Sequence, residues 1–283
     1  MRPPAKTARC VLLACIVSSV ASSCAGAPVA WREIGRGLEV TTIAPPQAGT
    51  SGEHGITILR IDPAHWDLEL IGIGQTGETT GRTAKEWARK HGLVAAINAG
   101  MFDVDGTTHI GYLRSGSHVQ GRRVGRYESA AAFDPHGDEP LPRFRIFDLD
   151  EPGVTLDGIL EDYASVVQNL RLIKRPGENR WGSQGRRWSE AALGEDGAGR
   201  ALFLFSRSPF AMHDWNEALL AAGIDLVAAQ HLEGGPKAQL YAKAGGVEID
   251  RFGDFETALP GGEGNPTAWP VPNVIGVKRR ATE

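Results

Sequence analysis

Gly92-Leu93-Val94-Ala95-Ala96-Ile97-Asn98-Ala99-Gly100-Met101-Phe102-Asp103-Val104-Asp105-Gly106 is the stretch on which the fold turns. Its first half is a short apolar run of the kind that makes a buried strand, and its second half changes to Asn, Gly and Asp, the residues of a polar turn. A strand that ends this way presents side chains from a backbone already fixed by ladder hydrogen bonds. One wall of a site is expected here. The same design recurs at His231-Leu232-Glu233-Gly234-Gly235-Pro236-Lys237, an apolar strand running into a carboxylate and paired glycines, which makes the second wall.

Around these two stretches the chain reads as many short strands with two or three helices between them. Ile56–Ile61 and Trp66–Ile71 alternate apolar with polar around Asp62-Pro63 and are expected to pair. Thr83 and Glu86 have capping-box spacing ahead of a short helix that stops at Gly92. Further strands are expected at Ser165–Ile173, Ala201–Phe205, Leu226–Ala229, Gln239–Tyr241 and Asn273–Val277, with a helix from Trp215 capped by Asp214. The 36 glycines among 283 residues suit a sheet-rich chain of tight turns. The expected fold class is therefore α+β (mixed α/β), a single domain of mixed or antiparallel sheets with flanking helices.

The N-terminus reads as an export signal. Arg2, Lys6 and Arg9 precede an apolar run from Cys10 to Ala21, and small residues lead to Cys24. The run is short of the roughly 20 residues that span a bilayer. Cys24 stands where bacterial lipoproteins are acylated, so the protein is expected to be exported, as a periplasmic or cell-surface lipoprotein or otherwise secreted. Membrane contact would come only through a lipid at Cys24. With residues 1–23 as signal and 24–50 as lead-in and linker, residues 51–283 form the domain. No internal disulfide is expected, because the other two cysteines lie in the signal.

Charge and motifs exclude several classes. The net charge is −4 with no strongly basic block, which argues against nucleic acid. Gly72-Ile73-Gly74-Gln75-Thr76-Gly77 matches a dinucleotide fingerprint, but four residues separate it from its helix and no acid follows at the required strand end, so a glycine-rich loop is expected. Asp103-Val104-Asp105-Gly106 fails the register of a calcium loop, because Met101 and Tyr112 would stand at its first and last ligand positions. A looser cation site on Asp103 or Asp105 stays open beside a hydrogen-bonded turn, and no metal or cofactor is implied. Zinc spacing, a serine elbow and a thiol nucleophile are all missing.

Carboxylate chemistry remains. Glu233, before two glycines that let backbone approach a ligand, is the first candidate, against a turn-capping role. Asp103 is the second. His231 alternates with Glu233 and is expected to share its face. Gln168 and Asn169 can hydrogen-bond sugar hydroxyls. Arg186 and Arg187 carry two readings of equal weight, a phosphate clamp and a solvated basic loop.

Together these stretches resemble the phosphodiester glycosidase family. Ile97-Asn98-Ala99-Gly100-Met101-Phe102 is similar to that family's strand running into Asn-Gly-Gly and two aromatics, and His231–Lys237 to its Asn-Leu-Asp-Gly-Gly-Gly-Ser. Val167-Gln168-Asn169, the Arg187 segment and Val271-Pro272-Asn273-Val274 follow in the family's order. Glu233 stands for the family's Asp, His231 for its Asn, Pro236 for its third glycine and Lys237 for a serine.

The resemblance implies a hydrolase that cleaves a sugar-1-phosphodiester, of the N-acetylglucosamine-1-phosphodiester type, in an envelope or extracellular glycan. Its partner would be a phosphorylated glycan or phosphosugar. It implies Glu233 and Asp103 as catalytic carboxylates, and Asn98, Gly100, Gln168, Asn169, Gly234, Gly235, His231 and Lys237 around the sugar, with Arg187 on the phosphate. The alternative is a non-catalytic glycan-binding envelope protein on the same fold.

Overall fold

The computed structural model describes residues 29–44, 55–137, 140–183, 185–254 and 265–280; the export signal and Cys24 lie outside them. Its strands, numbered in chain order, form three sheets in which every pairing is antiparallel. The largest runs β1 (Arg32–Gly35), β2 (Leu38–Ile43), β3 (Ile56–Ile61), β14 (Ala201–Phe210), β13 (Trp188–Asp196), β15 (Leu226–Gly234), β11 (Arg171–Lys174) and β12 (Glu178–Asn179) from edge to edge. The second runs β7 (His118–Gly121), β6 (Tyr112–Ser115), β10 (Tyr163–Asn169), β8 (Ser129–Pro135) and β9 (Phe144–Asp148). The third runs β17 (Val247–Phe252), β16 (Gln239–Ala244), β5 (Ala95–Asn98), β18 (Asn273–Arg279) and β4 (Trp66–Gly72).

All three sheets turn one face to a common core. Leu59 and Phe203 of the first sheet, Phe133 and Val167 of the second, and Ile97, Leu240 and Ile275 of the third meet there, all buried. Each outer face takes a helix. α4 (Met212–Ala221) lays Trp215 and Leu219 on Ile58, Leu204 and Ala229 of the first sheet. α3 (Leu156–Asp162) covers Ala130, Ala132 and Val166 of the second, and α2 (Ala84–His91) sets Trp87 and Ala88 on Ala96, Tyr241 and Val274 of the third. The α+β single domain expected from the sequence is thus the architecture found. β5 is buried on both faces, which explains why its run is apolar rather than alternating.

α2 is specified locally. Thr83 and Glu86 form a reciprocal capping box and Gly92 ends the helix in the left-handed region. Gly72–Gly77 holds only the single turn α1 (Ile73–Thr76).

Four expectations are corrected. β3 and β4 do not pair: Asp62-Pro63 is a corner at which the chain leaves one sheet for another, so equal alternation in the two strands reports a shared core and not a hairpin. Ser165–Ile173 is two strands in two sheets, divided at Leu170. α4 starts at Met212 with Ala211 at its N-cap, so Asp214 lies in the first turn instead of capping it. β1 and β2 belong to the largest sheet and place Ile34 and Leu38 in the core, so residues 32–43 are part of the domain and not a lead-in.

Candidate active site

The first wall is a hairpin on the end of β5. Met101–Ile110 folds back on itself, with Asp103 N–H donating to Thr108 O at 2.8 Å and Ile110 N–H to Met101 O at 2.9 Å, so Phe102 faces His109 across the ladder. Asp105 closes the turn. Its Oδ1 accepts the Thr107 and Thr108 amides at 2.8 Å each and its Oδ2 the Thr108 hydroxyl, and these bonds hold its carboxyl down at about 2. Asp103 is exposed and accepts the Val104 amide at 2.7 Å.

The second wall depends on a bulge. In β15 Glu233 stands opposite Ala191 of β13 while His231 stands opposite Ala192, so Leu232 is one residue more than the partner strand can match. Ala191 and Leu232 point into the common core, whereas Ala192 belongs to the face under α4. Glu233 therefore stands on the core face toward the third sheet, and His231 on the opposite one. The shared face expected from alternation is not found, because the bulge breaks the period of two.

The two walls meet at Glu233. Its Oε2 accepts the Phe102 amide at 3.2 Å and its Oε1 the Gly234 amide at 2.9 Å. Lys237 Nζ lies 5.3 Å from the Phe102 ring centre, on the short 3₁₀ turn Gly235–Lys237 that follows. Burial pushes the Glu233 carboxyl above its ordinary range, opposed by the charge of His231, the two amides and Lys237. Gly234 is fixed by packing, since a Cβ there would lie 2.5 Å from the Trp188 ring, and Gly235 sits at φ +65°.

Behind the hairpin the strand ends leave a set of donors. Asn98 Oδ1 accepts the Gln239 amide at 2.9 Å and Asn169 Oδ1 the Leu170 amide at 2.8 Å, which fixes both amide orientations. Their Nδ2 groups are buried and without a partner. Gly100 sits against His109 and Asn169 at φ +146°, where a Cβ would be 2.2 Å from His109 Cε1 and 3.3 Å from Asn169 Nδ2. No side chain other than hydrogen fits.

His109 was not singled out from sequence, since nothing periodic marks it and its placement depends on the hairpin turn. It is 1% exposed and its two ring nitrogens lack a well-formed hydrogen bond. Burial pulls its imidazole down to about 4, against the upward pull of the Gln168 carbonyl. Because the folded value lies below the unfolded 6.5, the stability is present above pH 6.5 and lost as the pH falls toward 4. The loss is about 3 kcal/mol by that linkage. Denaturant midpoints of the protein and of His109→Gln between pH 7 and 4 check it: the variant should lose much less, and parallel curves would refute the assignment.

The remaining candidates lie elsewhere. Gln168 is buried and committed to backbone, accepting from Tyr112 and Val124 N–H and donating to Val124 and Tyr127 O. Its amide has no valence for a sugar. Arg187 is exposed and its guanidinium lies 4.0 Å from Asp214 of α4. His231 Nδ1 is 2.5 Å from Glu190 Oε1, and Trp188 Nε1 donates to Glu190 Oε2 at 2.8 Å, a contact hidden beneath the site and not lining it. Among the described residues no group of three or more His, Cys, Asp or Glu is arranged to hold a metal ion.

A family model for phosphodiester glycosidase matches residues 91–278 of the chain. Two solved structures are similar. One is the catalytic domain of zebrafish N-acetylglucosamine-1-phosphodiester alpha-N-acetylglucosaminidase, auto-inhibited by its pro-peptide, with 16% identity and a TM-score of 0.60 over 90% of this chain and 87% of that one. The other is a hypothetical protein from Synechocystis, with 15% identity and a TM-score of 0.57 over 90% of this chain and 64% of that one. At such identities these structures bear on the fold alone. No curated protein matches.

Proposed function

The chain belongs to the phosphodiester glycosidase family, and from that premise we propose that it is an exported hydrolase cleaving the bond between a sugar's anomeric carbon and a phosphodiester oxygen. In this reaction the C1–O bond breaks, the oxygen leaves on the phosphate, and water supplies the hydroxyl to C1 while its proton passes to a base. A phosphodiester oxygen leaves as a stabilised anion, so little is asked of a general acid. The demand falls on water activation and on the oxocarbenium-like charge.

One carboxylate meets both. The observation that carries the reading is Glu233, held by amides from both walls with each oxygen fixed. Its raised proton affinity suits a base, and its charge suits the developing cation. Asp103, on the exposed side of the same hairpin, is the second carboxylate. Asn98 and Asn169 each keep an Nδ2 donor without a partner behind the same hairpin. Export and a lipid at Cys24 are supported by the charged, apolar, small-residue order of the leader.

The test is a panel of sugar-1-phosphate methyl esters and teichoic-type polymers. Release of free sugar with the matching phosphate monoester is expected. Saturable retention with no product from any of them would replace the hydrolase by a glycan-binding protein.

A further inference from the structure

Beside the hairpin the surface opens into a cleft of about 1140 Å³, lined on the hairpin side by Asp103 and His109 and on the other by Arg122, Arg123 and Arg126. The loop that carries the arginines is fixed. Arg122 N–H donates to Gly111 O at 2.9 Å and Tyr127 N–H to Val124 O at 3.0 Å. Gln168 holds the middle, its Oε1 accepting the Val124 amide at 3.0 Å and its Nε2 donating to Val124 O and Tyr127 O at 2.9 Å each. Gly121 lets the loop approach, since at φ +66° a Cβ there would lie 2.1 Å from Gly111 O. Gln168, expected to hold sugar, instead sets this loop.

The three guanidinium groups are not equivalent. Arg123 is engaged by both oxygens of Asp157. Arg122 and Arg126 are exposed, and neither has an ion-pair partner among the described residues; Arg126 lies 5.6 Å from the Tyr127 ring centre. Two uncompensated guanidinium groups on a rigid loop face a cleft whose other charge, Asp103, would push an anion toward them. Guanidinium forks match the oxygens of a phosphate and keep their charge at every working pH. Asp103, in the wall of the cleft, follows directly on Phe102, whose amide holds Glu233.

We propose that this cleft is an anion subsite in which Arg122 and Arg126 hold the phosphate of the leaving group. The inference rests on the reading of the protein as a sugar-phosphodiester hydrolase, and it moves the phosphate contact from Arg187 to the loop at 122–126.

The experiment measures binding of inorganic phosphate at low salt, and KM for a sugar-1-phosphate methyl ester, in the full chain and in Arg122→Gln, Arg126→Gln, their double variant and Arg187→Gln. Thermal midpoints check folding. Each loop substitution should weaken phosphate about 10-fold and raise KM similarly with kcat largely kept, and the double variant should lose roughly 100-fold. Phosphate bound equally by the double variant, absent from the unaltered protein, or lost with Arg187→Gln instead would overturn the subsite. So would glucuronate binding more tightly than phosphate. If phosphodiesters are hydrolysed while the double variant is unaffected, the subsite fails and the hydrolase stands. If phosphate binding disappears in the double variant yet no phosphodiester is cleaved, the hydrolase fails and the subsite stands.

Discussion

Glu233→Gln should lower kcat by on the order of 10³-fold, the scale of a lost general base, while stability changes by about 1 kcal/mol. The amide keeps the shape and one acceptor for the Phe102 or Gly234 N–H, so the fold has little reason to move. It cannot take a proton from water or oppose positive charge at C1. The unaltered protein adds a second signature. Its Glu233 carboxyl lies above the ordinary 4.5, so kcat/KM should fall as the pH drops through that raised value. Steady-state rates across pH, with melting curves for both proteins, decide the matter. A variant that keeps full turnover on a substrate the parent cleaves would remove Glu233 from the chemistry.

The largest loss of stability is expected at Glu190, which no substrate touches. Its side chain is fully buried, with one oxygen on His231 and the other on the Trp188 indole. Burial pushes the Glu190 carboxyl up. For His231 burial pulls the other way, but the carboxylate beside it outweighs this and the imidazole ends above 6.5. The pair thus holds one proton tightly. Glu190→Ala leaves the buried His231 imidazole and the Trp188 indole N–H without their acceptor, a change of about 3–5 kcal/mol for a broken buried pair. In a domain of this size that is roughly a 10 °C fall in midpoint.

The double substitution Glu190→Ala with His231→Asn should recover part of the loss, because no charge remains without its partner. Since the folded value of His231 exceeds the unfolded 6.5, the histidine's contribution is complete below pH 6.5 and fades as the pH climbs through the folded value. Unfolding curves at pH 6 and pH 9 for all four proteins form the cycle; additive losses would show that the two side chains do not depend on each other.

What the sequence disclosed and what it withheld divide along physical lines. Signals local in the chain were legible: the capping box at Thr83, the stop at Gly92, the buried run of β5 and the polar strand end after it, all of which depend on neighbours a few residues away. That the two strand-to-turn stretches close on one site was also expected from their matching design, but with Glu233 facing Asn98; the contact found is on the Phe102 amide. Pairing between distant strands was not legible, because alternation states which face is buried but not which strand lies alongside; hence the corner at Asp62-Pro63 and the division at Leu170. Gln168 read as a ligand amide because a strand end with a free amide and one that buttresses a loop have the same letters. His109 and the Arg122 loop carried no periodic signal at all.

The extra residue in β15 has a consequence for how activity can be lost. A β13 with one more residue between Ala191 and Ala192 would match Leu232 and pair evenly with β15, and Glu233 would then turn to the face under α4 and away from Phe102. The placement of the proposed base is thus separable from foldability by a single codon. A homologue that shares the whole architecture but carries that extra codon would present no carboxylate to the Phe102 amide.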